Sequence, residues 1–468
     1  MQQQESHQSI SIEVEAPVWE LNTGSNKIHA KRMPGRFRSI KWLTASLWLI
    51  FFLGPYLRWG DRQAVLLDIS GSQFHLFGVT VYPYDVWMLS FVLLFFAMLL
   101  GIATVLAGRA FCGYFCFQTV WTDLFCWIEA RMEGPPRARI ALDAAPWNLR
   151  KLSIKLSKHT LWLTISMMTG VSFAAWFTDA YQLWVDYFTL QAHTSAWIVL
   201  LMFTAGTYLF AGFMREQVCF WLCPYARIQG VLYDNNTLLP TYDEARGEPR
   251  SRLDRSAENQ RVGCVDCDQC VAVCPTGIDI REGQQIGCIT CGLCIDACDS
   301  VMDKINQPRG LIRYDSLAGV LGDRPRRWYQ RPQVLASAAM IVISVVFVVY
   351  GLNNITEAEL SVSPKRQPTY VLMSDGAIQN SYQLRIFNKS GADSNYRIEV
   401  DGFDDMFVTG NGKPLLVEAG RRASALLFVK VSREQLSKDI SPLMFRIVNI
   451  SRESPAVEVK SVFLAPRT

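Results

Sequence analysis

The sequence predicts a multi-domain membrane protein: an α-helical transmembrane bundle, a small cysteine-rich domain set within it, and an all-β domain at the C-terminal end. Three observations predict this. Half of the 468 residues are hydrophobic, with 26 Phe and 14 Trp, more apolar surface than a soluble core needs. All 13 cysteines lie between Cys112 and Cys298. From Ile355 onward the texture changes to short alternating runs broken by Gly, Asn, Asp and Ser, the period of half-buried strands. A chain this long calls for two or three folding units. A formal charge of +4 is too small to point to nucleic acid, and no nucleic-acid partner is expected.

Five apolar segments reach or approach the length that crosses a hydrocarbon core of roughly 30 Å: Ile40–Leu57, Tyr84–Ala107, Thr160–Phe177, Ser195–Met214 and Val334–Leu352. Gly54-Pro55 shortens the first, and the last is the cleanest. Flanking charge sets direction. Lys27, Lys31, Arg32, Arg36, Arg38 and Lys41 precede the first segment, and eight basic residues from Arg109 to Lys158 lie between the second and third. Asp179 to Thr194 has no Lys or Arg, and Arg58 and Arg62 alone stand between the first two. The assignment that satisfies all of this is five spans in a bacterial inner membrane, N-terminus in the cytoplasm and C-terminus in the periplasm. The expected divisions are a disordered cytoplasmic tail (1–39), a four-span membrane domain (40–233), a cytoplasmic cysteine domain (234–333), a fifth helix (334–352) and a periplasmic domain (355–468). The last reads as a two-sheet, immunoglobulin-like β-sandwich, a docking or spacer module.

The cysteines are odd in number and crowded into CxxC and CxxxC spacings, unlike a disulfide framework; reduced metal-binding thiolates in a reducing compartment fit better. The chain reads CVDCDQCVAVCP from Cys264 and CITCGLCIDACD from Cys288. Each run is C-x2-C-x2-C-x3-C, in which three thiolates hold one 4Fe–4S cluster and the fourth crosses to the other. The expected sets are Cys264, Cys267, Cys270 and Cys298 for one cluster, and Cys288, Cys291, Cys294 and Cys274 for the second. Pro275 and Gly277 turn the chain after the first run. Paired zinc sites are the competing reading, and the doubled order argues against them. This is a ferredoxin-like two-cluster domain: a wire, with substrate chemistry elsewhere.

GRAFCGYFCFQTVW follows the second span and MREQVCFWLCPYARIQG the fourth. Cys112 and Cys116 match Cys219 and Cys223 at a constant offset, which reads as an internal two-span repeat bringing four thiols to one membrane face. At i, i+4 on a helix the two sulfurs of a pair share a face, able to bind a soft metal such as copper or to cycle through a disulfide. Arg109 and Arg215 are placed to lower the thiol pKa values. Cys126 reads as a core residue. Of His7, His29, His75, His159 and His193, only His159 borders a span, which argues against haem.

Together these motifs resemble the cytochrome c oxidase accessory protein family (CcoG, FixG or RdxA) over nearly the whole chain, from about Arg36 onward. Phe117 departs from the family's Cys-Pro after the first pair; Pro224 keeps it after the second. The resemblance implies maturation of a cbb-type oxidase and a cupric reductase activity, Cu(II) to Cu(I), with copper as substrate at Cys219, Cys223, Cys112 and Cys116. It implies a cytoplasmic electron donor and copper-delivery or oxidase-assembly partners. The alternatives are a quinol-linked electron-transfer subunit and a non-catalytic assembly scaffold.

Overall fold

The computed structural model describes residues 28–465 apart from 70, 72, 83–84, 252–262, 286, 355, 391, 437 and 451–456. The chain divides into two compact units. One runs to Gly54 and takes in Phe96–Ala175 and Leu183–Ile341; the other comprises Pro55–Phe95, Trp176–Gln182 and the chain from Val342.

The helices in chain order begin with α1 (Arg36–Ser46), α2 (Leu49–Leu53), α3 (Trp87–Ala107), α4 (Ala110–Tyr114) and α5 (Phe117–Met132). They continue with α6 (Pro136–Ala144), α7 (Leu149–Ala174), α8 (Ala180–Phe188), α9 (Thr194–Leu209) and α10 (Pro224–Leu232). Short turns α11 (Glu244–Gly247) and α12 (Gln269–Ala272) precede α13 (Leu293–Lys304), α14 (Leu317–Val320) and α15 (Pro332–Asn353).

Among the described residues, three helical stretches are long and apolar enough to cross a membrane: Trp87–Ala107, Thr194–Met214 and Pro332–Asn353. They match three of the five expected segments. The first expected segment is broken into α1 and α2 around Leu47-Trp48. The third lies in α7, a helix of 26 residues whose first half carries Lys151, Lys155 and Lys158. Those lysines are drawn inward: Lys158 pairs with Glu133 at 2.9 Å and with Glu129 at 3.6 Å, and Lys155 pairs with Glu133 at 2.8 Å. Asn148 starts α7 by accepting the Lys151 amide at 2.7 Å, an N-cap that satisfies an orphan donor.

α7 lies along α9. Gly170 permits the approach, since a Cβ there would sit 2.8 Å from the Leu200 carbonyl oxygen, and Phe173 stacks on Phe203 at 3.9 Å. Trp121, Phe125, Ile128, Trp162 and Ala211 form the buried core around α5. The tail expected to be disordered reaches Ser39, but Ser39 lies inside α1. The preceding residues are pinned: Lys31 donates its amide to the Ala272 carbonyl, and Arg32 pairs with Asp123 at 2.8 Å. Residues 1–27 lie outside the described chain.

In the second unit, two antiparallel sheets make the sandwich. One orders Met406–Thr409, Arg422–Val431, Ile378–Asn388 and Ala358–Pro364, with Val371–Leu372 pairing the Ile378 end; the other orders Leu415–Val417, Ser394–Asp401, Ile440–Asn449 and Val457–Leu464. Alternate residues point inward, so Tyr382, Leu384, Ile386, Leu427, Val429, Phe445 and Phe463 are all fully buried. The Tyr382 hydroxyl donates to the Val462 carbonyl of the opposite sheet at 2.8 Å. A small meander, Val65–Asp68, Gln73–Leu76 and Val79–Val81, belongs to this unit. Tyr82, just beyond it, meets Phe387 edge-on at 4.7 Å.

Candidate iron–sulfur centre and thiol site

The two cysteine runs adopt the same backbone. In the first, Asp266 and Asp268 flank Cys267 with φ of 48° and 53°; in the second, Thr290 and Gly292 flank Cys291 with φ of 57° and 70°. This left-handed region curls the chain around a point, and Asp and Gly tolerate it. Thr290 is β-branched and does not, so it needs outside support. In the first run that support is Arg281, whose guanidinium binds Asp266 at 2.8 Å, Asp268 at 2.7 Å and Asp279 at 2.6 Å. In the second it comes from the residue that precedes α4 and from the strand Ile312–Asp315: the Arg109 amide donates to Thr290 Oγ1 at 3.1 Å, and the Tyr314 hydroxyl donates to the Thr290 carbonyl at 2.7 Å.

Each run encloses a small cavity. Cys264, Cys267, Cys270 and Cys298 line one, with Tyr242 and Met302 among its other walls. Cys274, Cys288, Cys291 and Cys294 line the other, and Cys270 borders both. Burial pushes Cys270, Cys288 and Cys298 up to about 12, so these thiols lose their protons to a metal rather than to water. Four soft donors around an apolar, water-poor hollow fit a 4Fe–4S cluster. Among the described residues, no three His, Cys, Asp or Glu side chains converge on a point suited to a single ion.

The CxxxC segments pack against the second run. Cys112 is 4 % exposed and shares one apolar cluster with Val273, Ile289, Cys291, Leu293 and Ala297. Gly113 touches the loop with bare backbone; a Cβ there would collide with the Ile289 carbonyl oxygen and lie 3.1 Å from the Cys291 Cα. The Tyr114 hydroxyl donates to the Cys291 carbonyl at 3.0 Å and meets the Tyr314 hydroxyl at 3.2 Å. Cys112 Sγ donates to Gln229 Oε1 at 3.2 Å, which also accepts from Arg109 Nε at 3.3 Å; Gln229 thus ties α10 to the first pair.

Neither CxxxC pair lies on one continuous helix, which corrects the expectation of two sulfurs on a shared helical face. Cys112 sits in α4 and Cys219 in a π-helical turn, Val218–Leu222; Cys116 and Cys223 stand at the N-caps of α5 and α10. The chain turns inside each motif, and the four thiols still gather, each interacting electrostatically with the other three. All 13 cysteines are free thiols. Their acidity is also corrected. Burial raises Cys112 to about 11 and Cys219 to about 12, outweighing the opposing pull of Arg109. Arg215 binds Glu129 at 2.7 Å instead, and burial raises Cys126 against its pull. Sequence reasoning missed Tyr114, Gln229, Thr290 and Tyr314. Tyr114, Gln229 and Thr290 lie inside the quoted motifs, where only the cysteines drew notice; Tyr314 lies outside them and carries no local signal.

A family model for the 4Fe-4S dicluster domain matches residues 214–317, and one for the IG-like fold at the C-terminal of FixG matches residues 348–466. Protein RdxA of Cereibacter sphaeroides is 43 % identical over 389 residues, covering 80 % of this chain and 82 % of that protein. The chain belongs to the FixG/RdxA family. RdxB of the same organism is 40 % identical over 420 residues, 85 % of this chain and 88 % of that one. Nitrogen fixation protein FixG of Rhizobium meliloti is 39 % identical over 429 residues, 83 % and 81 % of the two chains. As a member of the FixG/RdxA family with a 4Fe-4S dicluster domain, the chain is an iron–sulfur electron-transfer protein. Its apolar helices mark it as a membrane protein.

Proposed function

We propose that this protein reduces Cu(II) to Cu(I) at its CxxxC thiols, in the service of assembling a cbb-type cytochrome c oxidase. The observation that carries the reading is the side-chain-free contact of Gly113 with the Ile289–Cys291 backbone. It sets a thiol pair directly against a cysteine loop of the dicluster domain. Cys264, Cys267, Cys270 and Cys298 hold one cluster, and Cys288, Cys291, Cys294 and Cys274 the other. When bound, 4Fe–4S clusters supply single electrons at low potential, the chemistry that a one-electron metal reduction needs. Cys112, Cys116, Cys219 and Cys223 supply soft sulfur, which favours Cu(I) over Cu(II) and so pulls the copper couple toward reduction. Copper displaces their protons on binding, and Gln229 keeps Cys112 oriented toward the site.

Parity supports five crossings. Both ends of the stretch from Phe37 to Gly108 touch the cysteine domain: Asp296 accepts the Phe37 amide at 2.9 Å, and Gly108 lies against Leu239 and Thr290. α3 crosses once, so α1 and α2 supply a second crossing. Cys116 and Cys219 interact electrostatically, yet α9 lies between them in sequence, so α7 is the return. α15 leaves from the same side, where Arg331 binds Asp234 at 2.7 Å. On the flanking basic residues we take the dicluster domain and N-terminus as cytoplasmic, in an inner membrane, and the immunoglobulin-like domain as periplasmic. A cytoplasmic donor meets the first and oxidase-assembly or copper-delivery proteins meet the second. Anaerobic Cu(II) reduction, followed with a Cu(I)-specific chelator, tests the proposal. Full activity in a variant with all four CxxxC thiols changed to Ser would sink it.

A further inference from the structure

Each thiol segment follows a long helix and bends just before its cysteines. Four residues ahead of Cys112 the chain turns at Gly108, with φ of 59°; four residues ahead of Cys219 it turns at Arg215, with φ of 48° and ψ of −114°. Glycine takes positive φ at no steric cost. The Arg215 angles are those of the first central residue of a type II′ turn, a place dominated by Gly. The bend is thus free in one segment and strained in the other. Strain of this kind persists only where the surroundings over-determine it, and it clusters at functional sites.

Arg215 is held at its amide, its guanidinium and its carbonyl. The amide donates to the Phe210 carbonyl at 2.7 Å, closing the π-helical turn Phe210–Met214. Nε donates to the Gly212 carbonyl at 2.9 Å and Nη2 to Glu129 at 2.7 Å, and the Trp162 ring lies 6.0 Å from the guanidinium. The carbonyl accepts from Gln118 Nε2 at 3.0 Å, and the same nitrogen donates to the Phe210 carbonyl at 2.9 Å; Thr122 Oγ1 stands farther off at 3.3 Å. A side-chain amide nitrogen carries two N–H groups, so one Gln118 closes on both carbonyls that bound the turn. Both partners are pure acceptors, which leaves the amide one usable orientation. Gln118 lies two residues beyond Cys116 in the first turn of α5. It therefore fastens the end of one thiol segment to the start of the other.

We propose that Gln118 is a positioning residue for the thiol site, clasping the strained Arg215 bend so that Cys219 and Cys223 face Cys112 and Cys116. The clasp rests on the hydrogen bonds and the backbone angles; its consequence for copper rests on the reading given under Proposed function. Without the clasp Arg215 relaxes toward negative φ, and the second segment turns away from the first.

The test uses the full chain, purified anaerobically with its clusters, and dibromobimane, which fluoresces once it has bridged two neighbouring thiols. Mass spectrometry of the bridged peptides separates bridges between the two segments from bridges within one. The parent protein is expected to form bridges between segments. Gln118→Leu, which fills the same space without an N–H, is expected to lower them roughly tenfold, the scale of two lost hydrogen bonds, with the cluster absorption unchanged. Gln118→Asn keeps the amide but falls one methylene short, and is expected to give a smaller loss. Adding Arg215→Gly to Gln118→Leu should restore the bridges, because glycine holds the bend unaided; a merely structural loss would not be rescued. Absence of bridges between segments in the parent, or parental bridging in Gln118→Leu, overturns the proposal. So does loss of the clusters in both single variants, which makes Gln118 a folding determinant, and so does failure of the glycine rescue. Cu(II) reduction is expected to fall in step with bridging. Reduction at the parental rate while bridging falls keeps Gln118 as the positioning residue and removes copper chemistry from the thiols.

Discussion

The two CxxxC segments share a spacing and divide a labour. In the first, α4 is buried, Cys112 is hydrogen-bonded to Gln229, and Gly113 meets the cysteine loop backbone to backbone. In the second, Cys219 sits in a π-helical turn whose Trp221 and Leu222 are more than half exposed. π-turns insert a residue at a cost in stability and recur at functional sites. The first pair is therefore built as an anchor to the dicluster domain, and the second as the more open face. The missing proline at Phe117 does not alter this division. Cys116 and Cys223 both cap the helix that follows, because the first helical amide is an orphan whether or not Pro removes it. Phe117 adds a stack on Trp121 at 4.2 Å that Pro could not make.

Breaking the anchor has the largest expected effect. Gly113→Val forces a side chain into the Ile289–Cys291 backbone, and the expected cost is about 3 kcal/mol, at the upper end for overpacking. Chemical denaturation should show it, together with loss of the cluster absorption. On the open face, Cys219→Ser should leave that absorption intact. It should weaken copper binding by more than the roughly tenfold that loss of an outer-shell partner brings, as measured by competition against a Cu(I) chelator. Equal damage to the clusters from both variants would erase the distinction between the segments.

The ion pairs of Asp123 give a pH prediction. Burial works to raise the Asp123 carboxyl, but Lys41, Arg38 and Arg32 outweigh it and hold the group well below the usual carboxylate range. A depressed folded pKa stabilises the fold above the unfolded value of about 3.9 and loses that contribution as pH falls below it. Proteolytic protection of residues 28–41 should thus persist from pH 7 to pH 5 and fade below about pH 4. In Asp123→Asn it should be weak throughout. A smaller effect is expected from Phe117→Pro, which keeps the helix start and loses ring contacts with Trp121 and Trp48, about 1 kcal/mol. Smallest, and of opposite sign, is Gly230→Ala in α10, where an added Cβ meets nothing within 4 Å; removing the glycine's flexibility should stabilise by about 0.5–1 kcal/mol.

What the sequence made legible was whatever is written in local spacing. The doubled cysteine runs, the alternation after Ile355 and the uninterrupted apolar stretches of α3, α9 and α15 all encode themselves within a few residues. Pairing across the chain was not legible. Lys151, Lys155 and Lys158 read only as orientation-setting charges ahead of the third span, yet they are turned to Glu133, Glu129 and backbone carbonyls. Arg32 and Arg38 read as part of a loose basic tail, yet Asp123, more than eighty residues away, holds both. The direction of the thiol pKa values failed for the same reason. Arg109 is close, as the motif suggests, but burial is a property of the assembled fold and it wins. Cys126 read as plain core, and its buried side chain also lines a cavity with Asp123 and Cys219.

Thr290 carries one more consequence. A β-branched residue keeps a left-handed backbone only while its surroundings insist on it, and here they do so through Arg109 and Tyr314. The curl of the second cysteine loop and the seating of the thiol arm are then linked equilibria, each raising the probability of the other by the same factor. A chain whose second loop is unfilled should hold its thiol arm less firmly, and a chain with a detached arm should fill that loop poorly. Copies with an unfilled loop should therefore open locally more often than filled ones, and be cut faster by an added protease.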